Sequence, residues 1–217
     1  MATVGEKLTA PETGWTRYDD TDSNISYSAT WSYAEDSLYY NGHRYSTTKK
    51  GDQVKFNFMG TKLRIIGAYN YHDSNNVEIV IDKETHNISV YGPSIICGAL
   101  VFEIEDLSLC EHSVTITNLE DGKYCTFVAI DIDETGELKP YNPDIKTEEA
   151  LLRVTMLDSS ERDYQLSTTE IDGFINWYMK HTSTDTTGYM LTKKVGTEVS
   201  KEYLTLDKII SFEVIER

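Results

Sequence analysis

Residues 52–69 read DQVKFNFMGTKLRIIGAY, and this stretch decides the fold class. In its first half Val54, Phe56 and Phe58 alternate with polar neighbours, which is the period of a strand with one buried face. Gly60 interrupts the pattern, and a second apolar run follows at once. Two strands joined by a short turn are therefore predicted, and they predict a β-rich domain.

Similar short runs continue along the chain as far as Asp133, separated by turn residues. They are NVEIVID (76–82), HNISVYG (86–92), ALVFEIEDL (99–107), HSVTITNL (112–119) and CTFVAIDID (125–133). In the third run Leu100, Phe102 and Ile104 are set against Glu103 and Glu105 and are expected on one face. The dipeptides Asn41-Gly42 and Asp121-Gly122 suit tight turns that need positive φ. The pattern predicts a mainly β protein that begins with a many-stranded jelly-roll β-sandwich.

The segment ETGELKPYNPD (134–144) has little apolar content and two of the four prolines, so it indicates a boundary near Pro140. We expect a sandwich over residues 1–140 and a second domain over 141–217. In the second domain, β-like runs flank TTEIDGFINWYMKH, which has apolar residues at helical spacing and Thr168 or Thr169 as its N-cap. The predicted order is β-β-α-β-β, a small α+β domain for attachment or assembly.

Composition excludes several classes of partner. The net charge is -16 and the 20 Lys and Arg residues are scattered, so no nucleic-acid partner is expected. No apolar run approaches the roughly 18 residues that a membrane span needs, so no membrane insertion is expected. The first residues lack the pattern of a secretory signal, which predicts synthesis in a bacterial cytoplasm without a signal peptide. The three cysteines have no C-x-x-C spacing, so neither a disulfide framework nor a cysteine zinc site is indicated.

Several phrases resemble a known class of domain. They are WTRYDDTD (15–22), YYNG (39–42), FNFMGTKLRIIG (56–67) and, in the second domain, VTMLDSSERDYQLSTTEIDGFINWY (154–178). The set resembles the galactose-binding-like, carbohydrate-binding-module-like jelly rolls of bacteriophage and prophage structural or tail-associated proteins of Gram-positive bacteria, with a small phage-type C-terminal domain. This resemblance implies a virion or fibre protein that recognises a host glycan or supports virion architecture.

Sugar binding needs an aromatic ring that stacks on a pyranose, together with polar groups that satisfy its hydroxyls. Tyr69, Tyr71, His72 and Asp73 form the richest such cluster, in a loop that follows an apolar run. They are the first candidates for ligand contact. Packing at the edge of the sandwich is the alternative, since a tyrosine serves both uses.

A second candidate cluster surrounds the Asn-Gly turn. Tyr40, His43 and Arg44 lie there, and the histidine or arginine could donate to sugar hydroxyls. The turn itself is an alternative reason for this sequence. Trp31 is a further candidate for stacking, with a core position as its alternative.

Four aspartates suggest a structural calcium ion, which is the only cofactor the sequence indicates. Asp20 and Asp22 lie in an early loop, and Asp131 and Asp133 share one face of the last strand of the sandwich. In sandwiches of the resembling class, calcium is held between such a loop and that strand. The spacing is not that of an EF-hand, because Ile25 stands where the loop needs glycine. Carboxylates that cap turns in solvent are the alternative.

No nucleophile, metalloprotease or phosphate-loop motif is present, so we expect no enzymatic activity and no catalytic residue. A non-catalytic, virion or tail-associated protein that binds host cell-surface or cell-wall carbohydrate is the first hypothesis. A purely architectural virion protein, in contact with other virion proteins or as a homo-oligomer, is the second. A glycosidase is the third, with Glu103, Glu105, Asp131 and Asp133 as its strand carboxylates.

Overall fold

The structure is a computed structural model, and it divides the chain into two compact units. It describes residues 2–143, 149–180, 188–195 and 198–215. The first unit comprises residues 2–107 and 111–143, and the second comprises 108–110 and the described residues from 149 onward.

Twelve strands form the sandwich in the described part of the chain. They are β1 Trp15–Asp19, β2 Ser26–Tyr27, β3 Ser32–Glu35, β4 His43–Thr47, β5 Gln53–Gly60, β6 Leu63–Tyr69, β7 Val77–Ile81, β8 Glu84–Ile88, β9 Ile96–Ile104, β10 Cys110–Asn118, β11 Cys125–Asp133 and β12 Glu137–Lys139. One sheet has the order β3-β4-β11-β6-β9, with β1 also paired to β11. The other has the order β12-β5-β10-β7-β8, with β2 also paired to β5. The prediction of a mainly β sandwich is confirmed.

The core lies between the two sheets, where the alternating apolar residues of the sequence meet. Val54, Phe56 and Phe58 of β5 have no exposed surface, and they join one cluster with Ile130 and Ile132 of β11. The strand periodicity therefore identified the inward face of β5 correctly. Asn41 and Gly42 take φ of 52° and 79° in a 3-10 turn, as the Asn-Gly signal predicted.

In β9 the expected alternation is broken by a bulge. Ile65 of β6 pairs with Phe102 while the next residue, Ile66, pairs with Leu100, so Val101 is an extra residue. Phe102 faces the main core, but Leu100 packs in a separate cluster that also contains Ile66. The prediction that Leu100 and Phe102 share a face was wrong, because one inserted residue reverses the side on which a strand residue lies.

An N-terminal segment runs along the outer edge of β9. Gly5 donates its backbone N–H to Leu100 O, Leu100 N donates to Glu6 O, and Leu8 N donates to Gly98 O, each at 2.9 Å. A bridge also links Lys7 to Ala99. The segment from Gly5 to Leu8 therefore satisfies backbone groups that an edge strand would leave open.

The second unit combines strands with one helix. The strands are β13 Glu149–Met156, β14 Glu161–Ser167, β15 Gly188–Val195, β16 Glu198–Thr205 and β17 Ile209–Ile215, and the helix is α1 Thr168–Lys180. β14, β13 and β17 form one sheet, and β15 and β16 form a separate pair. Ile171 and Phe174 of α1 are buried in the same cluster as Leu152 and Val154 of β13. No helix in the described ranges is long and apolar enough to cross a membrane.

Two details of this unit differ from the sequence prediction. The final stretch, expected as one strand, is divided by a 3-10 turn at Leu206–Lys208, so the order is β-β-α-β-β-β. The helix is capped by Ser167 rather than by Thr168 or Thr169. Ser167 Oγ accepts the Glu170 N–H at 3.1 Å, and the Glu170 carboxylate accepts the Ser167 N–H at 2.9 Å. This reciprocal capping box satisfies two backbone donors at once, which a threonine inside the first turn cannot do.

Truncation of the core should lower stability strongly. Phe127 is 1% exposed in β11, so Phe127→Ala should lower the free energy of unfolding by about 3–5 kcal/mol in urea titrations. Ile95→Ala is the matched control, because Ile95 is 57% exposed, and it should change stability by less than about 0.5 kcal/mol. Equal losses in the two variants would contradict the placement of the core.

Candidate functional site

Loops from successive strand pairs meet at one end of the sandwich. The loop between β6 and β7 is joined to the β10–β11 turn, where Ser74 N donates to Tyr124 O at 2.9 Å. On its other side, the same loop is joined to the β8–β9 connection, where Val90 N donates to Ser74 O at 2.9 Å and Gly92 N to Asn70 O at 3.1 Å. Three loops that are distant in sequence therefore form one continuous surface.

Exposed aromatic side chains lie on all three of these loops. Tyr71 is 50% exposed, and Tyr91 and Tyr124 are each 45% exposed. Tyr91 forms a bridge with Asn70, and Tyr124 N donates to His72 O at 3.2 Å. The ring centroids of Tyr71 and His72 are 4.2 Å apart. We call Tyr71, His72, Tyr91 and Tyr124 the tyrosine face.

The loop that carries the tyrosine face is held in place by side-chain hydrogen bonds. Asn70 Oδ1 accepts the His72 N–H at 3.1 Å. Ser74 Oγ donates to the Glu120 carboxylate at 3.0 Å, and the same carboxylate accepts the Asn75 N–H. The backbone donor and the serine hydroxyl hold the pKa of Glu120 below its ordinary value. An anchored loop lowers the ordering cost of binding a ligand.

Asp73, another predicted ligand residue, is buried beneath this surface. It is 3% exposed, and its Oδ2 has no hydrogen-bond partner among the described residues. Burial raises the pKa of Asp73 to about 7, although the positive charge of Arg44 opposes the shift. Arg44 itself donates to Ser46 Oγ at 2.6 Å and stacks over the Tyr39 ring. The two residues therefore support the loop from inside rather than present groups to solvent.

Three other predicted ligand residues pack within the protein. Tyr69 and Trp31 lie partly buried against the main core. Tyr40 packs on the outer cluster that contains Ile66, with the Arg17 guanidinium 5.2 Å from the centre of its ring. For these three residues the packing alternative describes the geometry better than ligand contact does.

His43 belongs to a different region, at the edge of the sheet that contains β3 and β4. An open cleft of about 420 Å³ is present there. Its lining residues are Tyr33, Glu35, Asp36, Ser37, Asn41, Gly42 and His43, and we call it the acidic cleft. Beside His43 lie Asp19 and Asp20, and the three side chains place potential ligand atoms within 4.8 Å of one another.

The pKa values of the two aspartates beside this cleft are shifted in opposite directions. Burial, reinforced by the charge of Asp19, raises the pKa of Asp20 to about 7. Hydrogen bonds from Thr21 and Asn41 outweigh burial at Asp19 and lower its pKa. Asp20 Oδ2 accepts the Tyr45 N–H at 3.1 Å, which fixes the carboxylate against β4.

The four aspartates predicted to bind calcium are not brought together. Asp131 forms a bidentate ion pair with Arg17, at 2.6 and 2.9 Å, in which both side chains are almost completely buried. Asp133 accepts the Thr61 N–H at 2.6 Å and so caps the turn between β5 and β6. Asp22 accepts the Asn24 N–H in a local turn. Three members of the predicted calcium set thus serve other partners, and of the four only Asp20 lies beside the cleft, so calcium binding stays a prediction.

Three of the four strand carboxylates considered for glycoside hydrolysis also have hydrogen-bond or ion-pair partners within the protein. Glu103 pairs with Arg64, which also contacts Glu12 at 2.9 Å and lies 4.0 Å from the centre of the Trp15 ring. Glu105 lies on the surface. Asp131 and Asp133 have the partners given above, so among the described residues of this group only Glu105 is exposed and lacks a side-chain partner.

Comparisons with known proteins give two curated relatives, both from Flavonifractor plautii. An "A type blood alpha-D-galactosamine galactosaminidase" is 29% identical over 136 residues, which cover 60% of this chain and 12% of the relative. An "A type blood N-acetyl-alpha-D-galactosamine deacetylase" is 27% identical over 116 residues, which cover 53% of this chain and 14% of the relative. The chain thus matches only a small part of the length of these proteins. No family model matches it.

Solved structures of similar fold include a family two carbohydrate esterase from Cellvibrio japonicus, with a TM-score of 0.42 and 12% identity over 59% of this chain and 36% of the esterase. A family 35 carbohydrate binding module from Clostridium thermocellum has a TM-score of 0.39 and 12% identity over 54% of this chain and 98% of the module. None of the proteins named here is a virion protein, so the predicted bacteriophage origin has no support from them.

The prediction that the protein has no enzymatic activity is corrected by these relatives. Both are named as enzymes that act on carbohydrate, which points to an enzyme-related family. The lack of a catalytic motif in this chain does not decide the kind of protein in which its sandwich occurs.

The buried carboxylate of Asp73 should make stability depend on pH. Its folded pKa is raised above the ordinary value of 3.8, so the folded state binds more protons than the unfolded state between about pH 4 and 7. This contribution to stability is present below pH 4 and is lost as the pH rises through 7. Asp73→Asn should remove the loss, which is on the order of 1–4 kcal/mol. Urea titrations of the unsubstituted protein and of Asp73→Asn at pH 5 and pH 8 measure this loss of stability. Because Asp20 is present in both proteins, the comparison isolates the contribution of Asp73. An equal loss in both proteins would contradict the assignment.

The ion pair of Asp131 should be essential for stability whether or not calcium is present. Asp131→Asn leaves the buried Arg17 charge without its partner and should lower the free energy of unfolding by about 3–5 kcal/mol. Chemical denaturation in chelator and again in calcium is the measurement. A loss that appears only in calcium would favour the original metal assignment instead.

Proposed function

We propose that the sandwich binds carbohydrate through the tyrosine face, in the context of proteins that act on glycans. Its ligand class is a glycan that carries α-linked galactosamine or N-acetylgalactosamine. The observation that carries this proposal is the convergence of Tyr71, Tyr91 and Tyr124, all about half exposed, on three adjacent loops.

The chemistry of this surface fits a sugar. Each tyrosine offers an apolar ring for the C–H face of a pyranose and a hydroxyl for its polar edge. The imidazole of His72 adds a donor and an acceptor beside Tyr71. The loops are fixed by backbone and side-chain hydrogen bonds, so little conformational entropy is lost on binding.

The sugar class is taken from the names of the relatives. One is named for α-D-galactosamine and the other for N-acetyl-α-D-galactosamine, and both names share the galacto configuration and nitrogen at one ring substituent. A surface that stacks the ring and hydrogen-bonds its substituents would accept both forms. A virion or tail location rests on the sequence resemblance alone. In such a location many copies would attach to host glycan together, which would compensate for weak binding at each single site.

The test is calorimetric titration of the purified chain with oligosaccharides that end in α-linked N-acetylgalactosamine, galactosamine or galactose. Tyr71→Ala, Tyr91→Ala and Tyr124→Ala should each weaken binding by roughly 3- to 10-fold, since one aromatic contact contributes about 0.5–1.5 kcal/mol. Tyr203→Ala is the matched control, because Tyr203 is 68% exposed on β16 in the other unit. It should bind as the unsubstituted protein does.

Two outcomes would overturn this assignment. The first is the absence of binding to all three glycans and to a wider glycan panel. The second is binding that the three tyrosine variants leave unchanged. The same mixtures are assayed for released sugar and acetate, and release that depends on Tyr71 or Tyr124 would show turnover at this surface instead of simple binding.

A further inference from the structure

The acidic cleft is built where two strands share one edge of β11. β1 pairs with residues 129–133 of β11, and β4 pairs with residues 125–127. Val128 lies between the two pairings, and its carbonyl accepts the Asp20 N–H at 3.2 Å. Asp19 is the last residue of β1 and Asp20 follows it, and His43 is the first residue of β4. The backbone fixes these side chains beside each other, without help from a flexible loop.

Two atoms in this cluster are close together without forming a hydrogen bond. Asp20 Oδ1 lies 2.8 Å from His43 Nδ1, yet neither atom has a hydrogen-bond partner of acceptable geometry among the described residues. The Asp20 side chain has no exposed surface, and that of His43 is 14% exposed. Buried polar atoms are normally satisfied, and a bound cation would satisfy both of these atoms at once.

These atoms are close enough to share one metal ion. Ligands bound at about 2.0–2.2 Å in tetrahedral geometry lie about 3.4 Å apart, so a small widening of the 2.8 Å separation would let both atoms bind the same ion. Asp19 adds a second carboxylate, and the three side chains offer ligand atoms that all lie within 4.8 Å of one another. Asp19 Oδ1 accepts the Thr21 N–H at 3.0 Å and the Thr21 hydroxyl at 2.5 Å, so it would bind an ion through a remaining lone pair. We propose that Asp19, Asp20 and His43 bind a divalent transition-metal cation of the zinc class, with the acidic cleft giving access to the open coordination positions.

The donor set and the surrounding charge favour this class of ion. One imidazole with two carboxylates suits zinc and its neighbours, whereas calcium takes only oxygen ligands and more of them. Glu35 and Asp36 in the cleft lining add negative charge, and the lining contains no Lys or Arg. Asn41 Nδ2 donates to Asp19 Oδ2 at 2.5 Å, which orients that carboxylate from outside the cluster.

The test is titration of the chelator-treated chain with Zn²⁺, and separately with Ca²⁺, followed by calorimetry and by thermal unfolding. Zn²⁺ should bind with one-to-one stoichiometry, raise the melting temperature and bind more tightly than Ca²⁺. Asp20→Asn and His43→Gln should each weaken Zn²⁺ binding at least about tenfold, since each removes a ligand. Co²⁺ absorption in the visible region should appear with the unsubstituted chain and be lost in both variants.

Matched controls separate this site from general attraction of cations. Asp22→Asn removes the same charge from the same loop, and asparagine can keep the local turn to Asn24. His72→Gln removes a histidine from the tyrosine face. Both controls should bind Zn²⁺ as the unsubstituted chain does. Near-ultraviolet circular dichroism checks the fold, and Asp19→Asn provides a third ligand variant in case one of the others does not fold.

Several results would overturn the metal site. They are Zn²⁺ binding that is unchanged in the ligand variants, binding lost equally in Asp22→Asn or His72→Gln, tighter binding of Ca²⁺ than of Zn²⁺, and no binding at all. No glycan is present in these titrations, so their outcome is independent of sugar binding at the tyrosine face.

Discussion

Strand β11 is the constraint on which the rest of the sandwich depends. Seven of its nine residues are buried, and it pairs with β6 along one edge and with β1 and β4 in succession along the other. Phe127, Ile130 and Ile132 fill the main core, while Val128 packs in the outer cluster. A strand buried on both faces tolerates few alternative registers, because a shift of one residue would move every side chain to the opposite face.

Both candidate sites are positioned by this strand. Tyr124 immediately precedes β11, so the strand fixes one side of the tyrosine face. The cluster of Asp19, Asp20 and His43 lies where β11 changes partner from β1 to β4. Sites carried on rigid elements keep their geometry better than sites carried on free loops.

The fold could be predicted from the sequence further than the sites could. Strand alternation and turn chemistry are local, so the inward face of β5 and the turn at Asn41-Gly42 were predicted correctly. The S-x-x-E pattern of Ser167 and Glu170 is also local and could have predicted the cap of α1. The bulge at Val101 depends on contacts that the local pattern does not specify. The division of the last strand at Leu206–Lys208 is a similar case.

The sites depend on contacts between distant parts of the chain. Asp131 was taken for a metal ligand because its bidentate partner, Arg17, is 114 residues away. Tyr91 and Tyr124 were missed because they gain significance only through the bridges that place them beside residues 70–73. Tyr71 and His72 could be proposed together because they are neighbours in sequence, whereas the position of His43 beside Asp19 and Asp20 depends on strand pairing that the sequence does not show.

The N-terminal segment from Gly5 to Leu8 has a consequence for self-association. An uncovered edge strand offers a template on which another chain can add by backbone hydrogen bonds. β9 is nine residues long and lies at the end of its sheet, but this segment occupies part of its open side. At the opposite end, β3 is only four residues long and finishes in Glu35. A short, charged edge and a covered long edge together limit strand addition between copies through this sheet.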